Sequence, residues 1–232
     1  MDTRIVFGDA TTFQSAMLVV FAVDTATGKD AEPTPLLLTS SEAVTQAASR
    51  FLAAGEFKAG LCETLLLHGP DGLKADRLLL VGLGKVKTLS PDQIRKAAGA
   101  AVRAAKPRAI RDIAIAFPDA HSLSNLHDAL PSQLTARAVV EGAEIADPDW
   151  DTYRSDRKDL SVHTLTLVAG TQEPATDAEI QAGFDEGLIF AAAQNFARHL
   201  VNEPGNVLTP TVLGARAKAM CDEVGLLSLI HI

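Results

Sequence analysis

The sequence has little cysteine, few aromatics, no long apolar run and no surplus of positive charge, and each shortage excludes a class of protein. Two cysteines, Cys62 and Cys221, lie far apart in 232 residues with no second ligand at metal spacing. A disulfide scaffold or cysteine-built zinc site is excluded; two reduced thiols are expected, a single disulfide being the other reading. The longest uninterrupted apolar stretch runs only from Ala16 to Val23, against the roughly 20 residues that a membrane helix requires. Asp2, Arg4 and Asp9 precede it where a secretory signal would carry a basic segment, so a cytoplasmic protein with no membrane partner is expected. With 21 Lys and Arg against 29 Asp and Glu, the formal charge is −8, which argues against a nucleic-acid partner. Glycine and proline are modest, at 16 and 11, so neither disorder nor a fibrous repeat is expected.

What is present is a chain with 47% hydrophobic residues that alternates β-rich runs with helical patterns. Strands are predicted at Met17–Val23, Thr64–His68, Arg77–Val81, Ile110–Phe117 and Val162–Val168, with a weaker one at Arg4–Phe7. Most are continuous apolar runs, the mark of strands covered on both faces. Val162–Val168 alternates and is expected at a sheet edge. Thr39 with Glu42 reads as a capping box before a stripe of Val44, Ala47, Ala48, Phe51 and Leu52, stopped by Gly55. Ser90-Pro91-Asp92-Gln93 opens a helix striped by Ile94, Ala97, Ala98, Ala101, Val102 and Ala105. Another helix is expected from Pro131 with Leu134, Ala138 and Val139. Thr176 with Glu179 opens a long helix reaching about Val201, with Gly183 and Gly187 as its weak points. Thr209-Pro210 caps a last helix with Leu213, Ala217, Met220, Cys221 and Val224, and Gly225 ends it. The pattern predicts an α/β fold, a mixed sheet between helices.

Four groups invite a chemical reading. Gly82-Leu83-Gly84-Lys85 stands where a phosphate loop would sit, but Lys87 replaces the third glycine and no Gly-Lys-Ser/Thr follows; a tight turn is expected. Asp147, Asp149 and Asp151 resemble the opening of a calcium loop, yet Thr152 and Lys158 occupy the places of its glycine and its glutamate; a solvated acidic turn is expected. The histidines, His68, His121, His127, His163, His199 and His231, form no His-Glu-x-x-His pair. His199 falls on the stripe of the long helix, as a hydrogen-bonded interface residue. No Gly-x-Ser-x-Gly elbow supplies a nucleophilic serine.

The fourth group, Ala197-Arg-His-Leu-Val-Asn-Glu-Pro-Gly-Asn-Val-Leu-Thr-Pro210, reads physically as a helix end, a turn in which Asn202 and Asn206 can bond local backbone, and a capped helix start. It resembles, at Arg198, Leu200, Asn202, Pro204, Asn206, Leu208, Thr209 and Pro210, the signature that opens the catalytic domain of the leucyl aminopeptidases (cytosol aminopeptidases). Upstream, Leu79–Lys85, Ile94–Gly99, Glu141-Gly142 and Trp150–Ser155 resemble the same family in its order, so the likeness covers about residues 1 to 226. The resemblance implies a macro-type N-terminal domain over 1–170, a linker helix over 176–200 and the truncated start of the catalytic domain over 201–226. It also implies a homohexamer that releases N-terminal amino acids, leucine preferred, from peptide substrates at two divalent ions, manganese or zinc. The family's metal ligands stand in motifs resembling Gly-Lys-Gly-x-Thr-Phe-Asp and Asn-Thr-Asp-Ala-Glu-Gly-Arg, and neither motif occurs in this sequence. No catalytic, metal or substrate-binding residue is therefore placed on this chain, and it is expected to be inactive alone and to bind no metal. Leu227-Ser-Leu-Ile-His-Ile232 matches the in-frame translation of a transposon-end sequencing adapter, CTGTCTCTTATACACATC, and 227–232 is expected to be a non-native, poorly packed tail. Two rival readings stand beside this one. The first is a free-standing macro-type module that binds ADP-ribose with Gly82–Lys85 near the phosphates; the second is a DNA-binding regulator, which the −8 charge disfavours.

Overall fold

A computed structural model describes residues 1–28, 31–118, 130–150, 153–156, 158–170 and 173–228. They divide into two compact units, Met1–Ala192 and Ala193–Ile232. In the first, the strands β1 (Asp2–Phe7), β2 (Met17–Asp24), β3 (Pro35–Leu37), β4 (Thr64–His68), β5 (Arg77–Lys85), β6 (Asp112–Ala116) and β7 (Thr164–Ala169) form one mixed sheet. Its order is β1-β7-β6-β2-β5-β4, with β3 paired to β2. The neighbours from β1 through β5 run parallel, while β3 and β4 pair antiparallel.

Alternation along β2 explains the layers. Met17, Val19 and Phe21 join one core with Leu79, Ile113, Ile115 and Leu165. Leu18, Val20 and Ala22 join the other with Leu78, Leu80, Ala114 and Phe57. Helix α1 (Glu42–Ala53) covers the second face through Val44 and Ala48; α2 (Pro91–Ala105) and α3 (Ser132–Ala146) cover the first. Each fully buried Leu, Ile, Val or Phe contributes about 1.5–3 kcal/mol, so the sheet's central strands hold most of this unit's stability. The stripe of α2 is buried at Ile94, Ala97, Ala98, Ala101, Val102 and Ala105. Small residues let α2 and α3 touch by backbone: a Cβ on Gly142 would lie 2.0 Å from the Arg95 carbonyl oxygen.

Several details correct the sequence expectations. The alternating strand β7 is interior, between β1 and β6, because its polar Thr166 is matched by an Arg4 Nε–H donor at 3.1 Å from β1. The edge is β1 itself. Strand β3, three residues opening on Pro35, is too short for periodicity to register. Helix α1 is capped by Ser41, whose Oγ accepts from the Val44 amide at 3.3 Å, and Thr39 instead accepts from the Ser41 amide. In α3, Leu134 faces outward at 39% exposure while Ala138 and Val139 are buried.

Helix α4 (Pro174–Asn202) starts two residues before the Thr176 cap that its sequence suggests, proline suiting a first turn. Gly183 and Gly187 are contact points rather than weak points: a Cβ on Gly183 would lie 2.0 Å from the Gln133 carbonyl oxygen, and one on Gly187 2.8 Å from Val140. Ile180, Phe184 and Ala191 are buried, whereas Ile189 and Val201 are 68% and 84% exposed. Helix α5 (Pro210–Glu223) has its Thr209 cap, accepting from the Val212 amide, and Gly225 follows at φ +72°.

Candidate functional site

Gly82–Lys85 is neither a turn nor a phosphate loop: all four residues continue β5, with Leu83 fully buried. The segment 59–63 lies against them. The Gly82 amide donates to the Glu63 carbonyl at 2.8 Å, the Gly84 amide to the Ala59 carbonyl at 2.9 Å, and the Gly82 carbonyl accepts from the Cys62 amide. A Cβ on Gly82 would meet the Gly60 carbonyl oxygen at 2.0 Å, so the glycine is required for this approach and not for a ligand. Gly84, at φ +81°, takes up the register shift where Ala22 faces Gly82 but Asp24 faces Lys85.

In the acidic turn, Asp149 is exposed as expected, but Asp147 is not solvated. Asp147 and Lys106 are both buried, and the Lys106 ammonium lies 2.8 Å from Asp149 Oδ2, 3.8 Å from Asp147 Oδ1 and within hydrogen-bond reach of the Asp147 carbonyl. Asp147 Oδ1 also accepts from the Val162 amide at 2.8 Å, which ties the end of α3 to the approach to β7. Asp151 and Thr152 fall outside the described residues, as do His121, His127 and His231.

Along the Arg198–Pro210 signature, Asn202 Nδ2 donates to the Arg198 carbonyl at 2.7 Å, closing α4. The Val207 and Leu208 amides both donate to the Pro204 carbonyl, forming the turn that Thr209 ends. His199 is half exposed, and its Nε2 lies 3.0 Å from Glu203 Oε1. The same oxygen accepts from Arg216 Nη1 at 2.7 Å. The Arg216 hydrogen bond, then the Arg216 and His199 charges, hold the Glu203 carboxyl below its ordinary range against the opposing effect of desolvation. This carboxylate, unremarked in the sequence, was legible as a His-x-x-x-Glu pair one helical turn apart.

Elsewhere, burial pushes the Glu144 carboxyl up, against a Thr3 hydroxyl donor and the N-terminal ammonium. Burial likewise raises the Cys62 thiol, opposed by Lys96, which makes it a poor nucleophile; Cys62 and Cys221 are both free. A crevice of about 690 Å³ opens beyond the carboxyl ends of β1, β6 and β7, where Asp9, Thr11, Phe117 and Gly170 meet the start of α1 at Ser40 and Glu42. That is the usual ligand position of an open α/β sheet, but its charged side chains are carboxylates.

Two divalent ions do not fit the described residues. Among the described residues no three His, Cys, Asp or Glu side chains converge as a metal site, and in the nearest acidic pair, Asp147 and Asp149, the Lys106 ammonium already stands where a cation would. No helix among the described residues is long and apolar enough to cross a membrane.

Residues 18–157 match the family model described as the cytosol aminopeptidase family, N-terminal domain. A probable cytosol aminopeptidase of Acidobacterium capsulatum is 46% identical over 232 residues, 97% of this chain and 44% of that protein. A mutant of tomato leucine aminopeptidase superposes with a TM-score of 0.71 at 21% identity, over 96% of this chain and 42% of that one. The bottromycin maturation enzyme BotP, in complex with Mn, superposes with a TM-score of 0.61 at 24% identity, over 91% of this chain and 37% of that one. The chain thus spans less than half the length of the relatives it matches.

Proposed function

The chain belongs to the cytosol aminopeptidase family, and on that premise we propose that it is the N-terminal part of a leucyl aminopeptidase, a two-metal exopeptidase that releases N-terminal amino acids, leucine in preference, from peptides. Residues 1–170 are its macro-type α/β domain, 176–200 the linking helix and 201–226 the first elements of the catalytic domain. The complete enzyme is a cytoplasmic homohexamer. What carries this reading is the Arg198–Pro210 signature, standing as a helix end, a turn and a capped helix start downstream of the family's N-terminal domain. The manganese bound by the BotP neighbour supports a divalent ion, manganese or zinc, in the complete enzyme. Such ions polarise a peptide carbonyl and lower the pKa of an attacking water. The described residues of this chain do not fit them, and its part is structural: it holds the helix and turn from which the catalytic domain proceeds.

The ADP-ribose reading is disfavoured by two observations. The Gly82 and Gly84 amides that would cradle phosphates are bonded to Glu63 and Ala59, and Asp9 and Glu42 at the crevice oppose a diphosphate. Two assays test the proposal. The purified 232-residue chain should release no leucine from a leucyl amide, with or without manganese or zinc; turnover that survives a control for host aminopeptidase would overturn this. A chimera of residues 1–226 with the remainder of the Acidobacterium capsulatum relative should be active with manganese. A folded but inert chimera would count against the family role.

A further inference from the structure

The second unit, Ala193–Ile232, joins the end of α4 to α5 without a core. Helix α4 has no buried residue beyond Ala191, and α5 has none at all. Several hydrogen bonds along residues 198–213 are local. Asn202 reaches Arg198, the Val207 and Leu208 amides reach Pro204, and the Val212 and Leu213 amides reach Thr209, each at most four residues away. Bonds of that range shape a helix end, a turn and a helix start. None of them fixes the direction of one helix relative to the other.

Glu203 differs. It follows α4 directly, and its amide donates to the Leu200 carbonyl at 3.4 Å. Its side chain is only 6% exposed, in a unit whose described apolar residues are all half-buried or exposed. Oxygen Oε1 meets His199 Nε2 from the last turn of α4 at 3.0 Å and accepts from Arg216 Nη1 on α5 at 2.7 Å. The bond to Arg216 spans 13 residues. The other oxygen, Oε2, is buried with no hydrogen-bond partner among the described residues.

Local chemistry does not account for a glutamate at this place. The C-terminal end of a helix carries partial negative charge and favours cations, which suits His199 and opposes a carboxylate. A buried oxygen without a donor is a second cost. Both are offset through α5, whose Arg216 supplies a charge-assisted bond, roughly twice as strong as a neutral one.

We propose that Glu203 is a latch between the two helices: through Arg216 it fixes the direction in which α5 leaves the end of α4, before anything covers the α5 stripe of Leu213, Met220 and Val224. His199 steadies the carboxylate from the α4 side, Thr209 starts α5, and Arg216 sets its heading. The latch is a conformational device internal to the second unit. It touches no substrate, and it stands or falls independently of the chain's place in an aminopeptidase.

Double electron–electron resonance on the full chain tests this. Nitroxides are attached at Gln194→Cys on α4 and Ala219→Cys on α5, both exposed positions, in a Cys62→Ser/Cys221→Ser background. A single narrow distance distribution is expected. Glu203→Gln keeps an acceptor but loses the charge, and Arg216→Met removes the donor; each should widen the distribution at least twofold. The double variant should be no wider than the wider single one, because both substitutions remove the same bond. Hydrogen exchange across residues 211–223 should quicken no more than threefold in these variants, since α5 persists and only its direction is released. Widening of less than twofold in both single variants, or a double variant wider than either, overturns the proposal. So does exchange quickened more than threefold, which would show that the pair holds the helix itself rather than its direction.

Discussion

The units Met1–Ala192 and Ala193–Ile232 use similar local signals and differ in what lies behind them. In the first, α2 has a Ser90-Pro91 start and a stripe that is buried to the last alanine. In the second, α5 has an equally well-formed start at Thr209-Pro210, yet none of its residues is buried; Leu213 and Val224 are 43% and 59% exposed. Capping and side-chain pairs locate a helix, but burial of a stripe is what stabilises one, because isolated helices of this length are marginal in water. A family relative with more than twice the chain has material to cover such a stripe.

The contrast is open to attack at several strengths. The largest effect is expected where backbone meets backbone. Gly142→Val pushes a side chain into the Arg95 carbonyl and should cost about 3 kcal/mol or more in urea unfolding, whereas Leu213→Ala should stay within about 0.5 kcal/mol. Equal losses would mean that the second unit has a core of its own. Next come the lysines. Lys106→Met leaves the buried Asp147 without its ammonium and should cost about 3 kcal/mol. Lys218→Met breaks a pair with Asp222 in which both side chains are more than 60% exposed, so it should cost at most about 0.5 kcal/mol. Similar values for the two would show that the Lys106 cluster is hydrated in solution.

Smaller changes sharpen the comparison. Ser41→Ala removes the α1 cap and should lower global stability by about 1 kcal/mol. Thr209→Ala should instead speed hydrogen exchange in residues 210–214 and leave the main unfolding transition in place. Acid should act on the units in opposite directions. Glu203 is held below the ordinary glutamate value of 4.5, so its contribution to the second unit is complete above that value and is lost as pH falls through the lowered pKa. Glu144 is raised above 4.5 by burial: protonation favours the folded first unit, and this contribution fades as pH rises from 4.5 through the raised pKa. Exchange measured across pH 3 to 7, with Glu203→Gln and Glu144→Gln as controls, should show each opposing trend vanish in its own variant. Unchanged trends would refute the assignment.

The parts legible in the sequence were those written in local code. The strands around Met17–Asp24 and Thr64–His68 are apolar runs bounded by polar residues, and the α2 stripe carries a 3.6-residue period, so position and face follow directly. The helix-to-turn signature was legible because its asparagine, prolines and threonine act within a few residues of themselves. What stayed hidden depends on partners distant in sequence. Nothing near Gly82 announces that residues 59–63 will cover it, and Asp147 looks like a surface acid until Lys106 is brought beside it. The polar alternation of β7 suggested an edge only because Arg4, which satisfies Thr166, lies 162 residues away.

That same separation imposes a schedule on the chain as it is made. Arg4 leaves the ribosome first, and the threonine that receives it is synthesised 162 residues later; at about 5–20 residues per second, the wait is roughly 8–30 s. Throughout it, Ile5, Val6 and Phe7 have no β7 to pair with. The sheet can grow from β2 and β5 outward, but β1, made before its other strands, is the last of them to be paired, and the nascent chain carries an unclosed flank until β7 emerges.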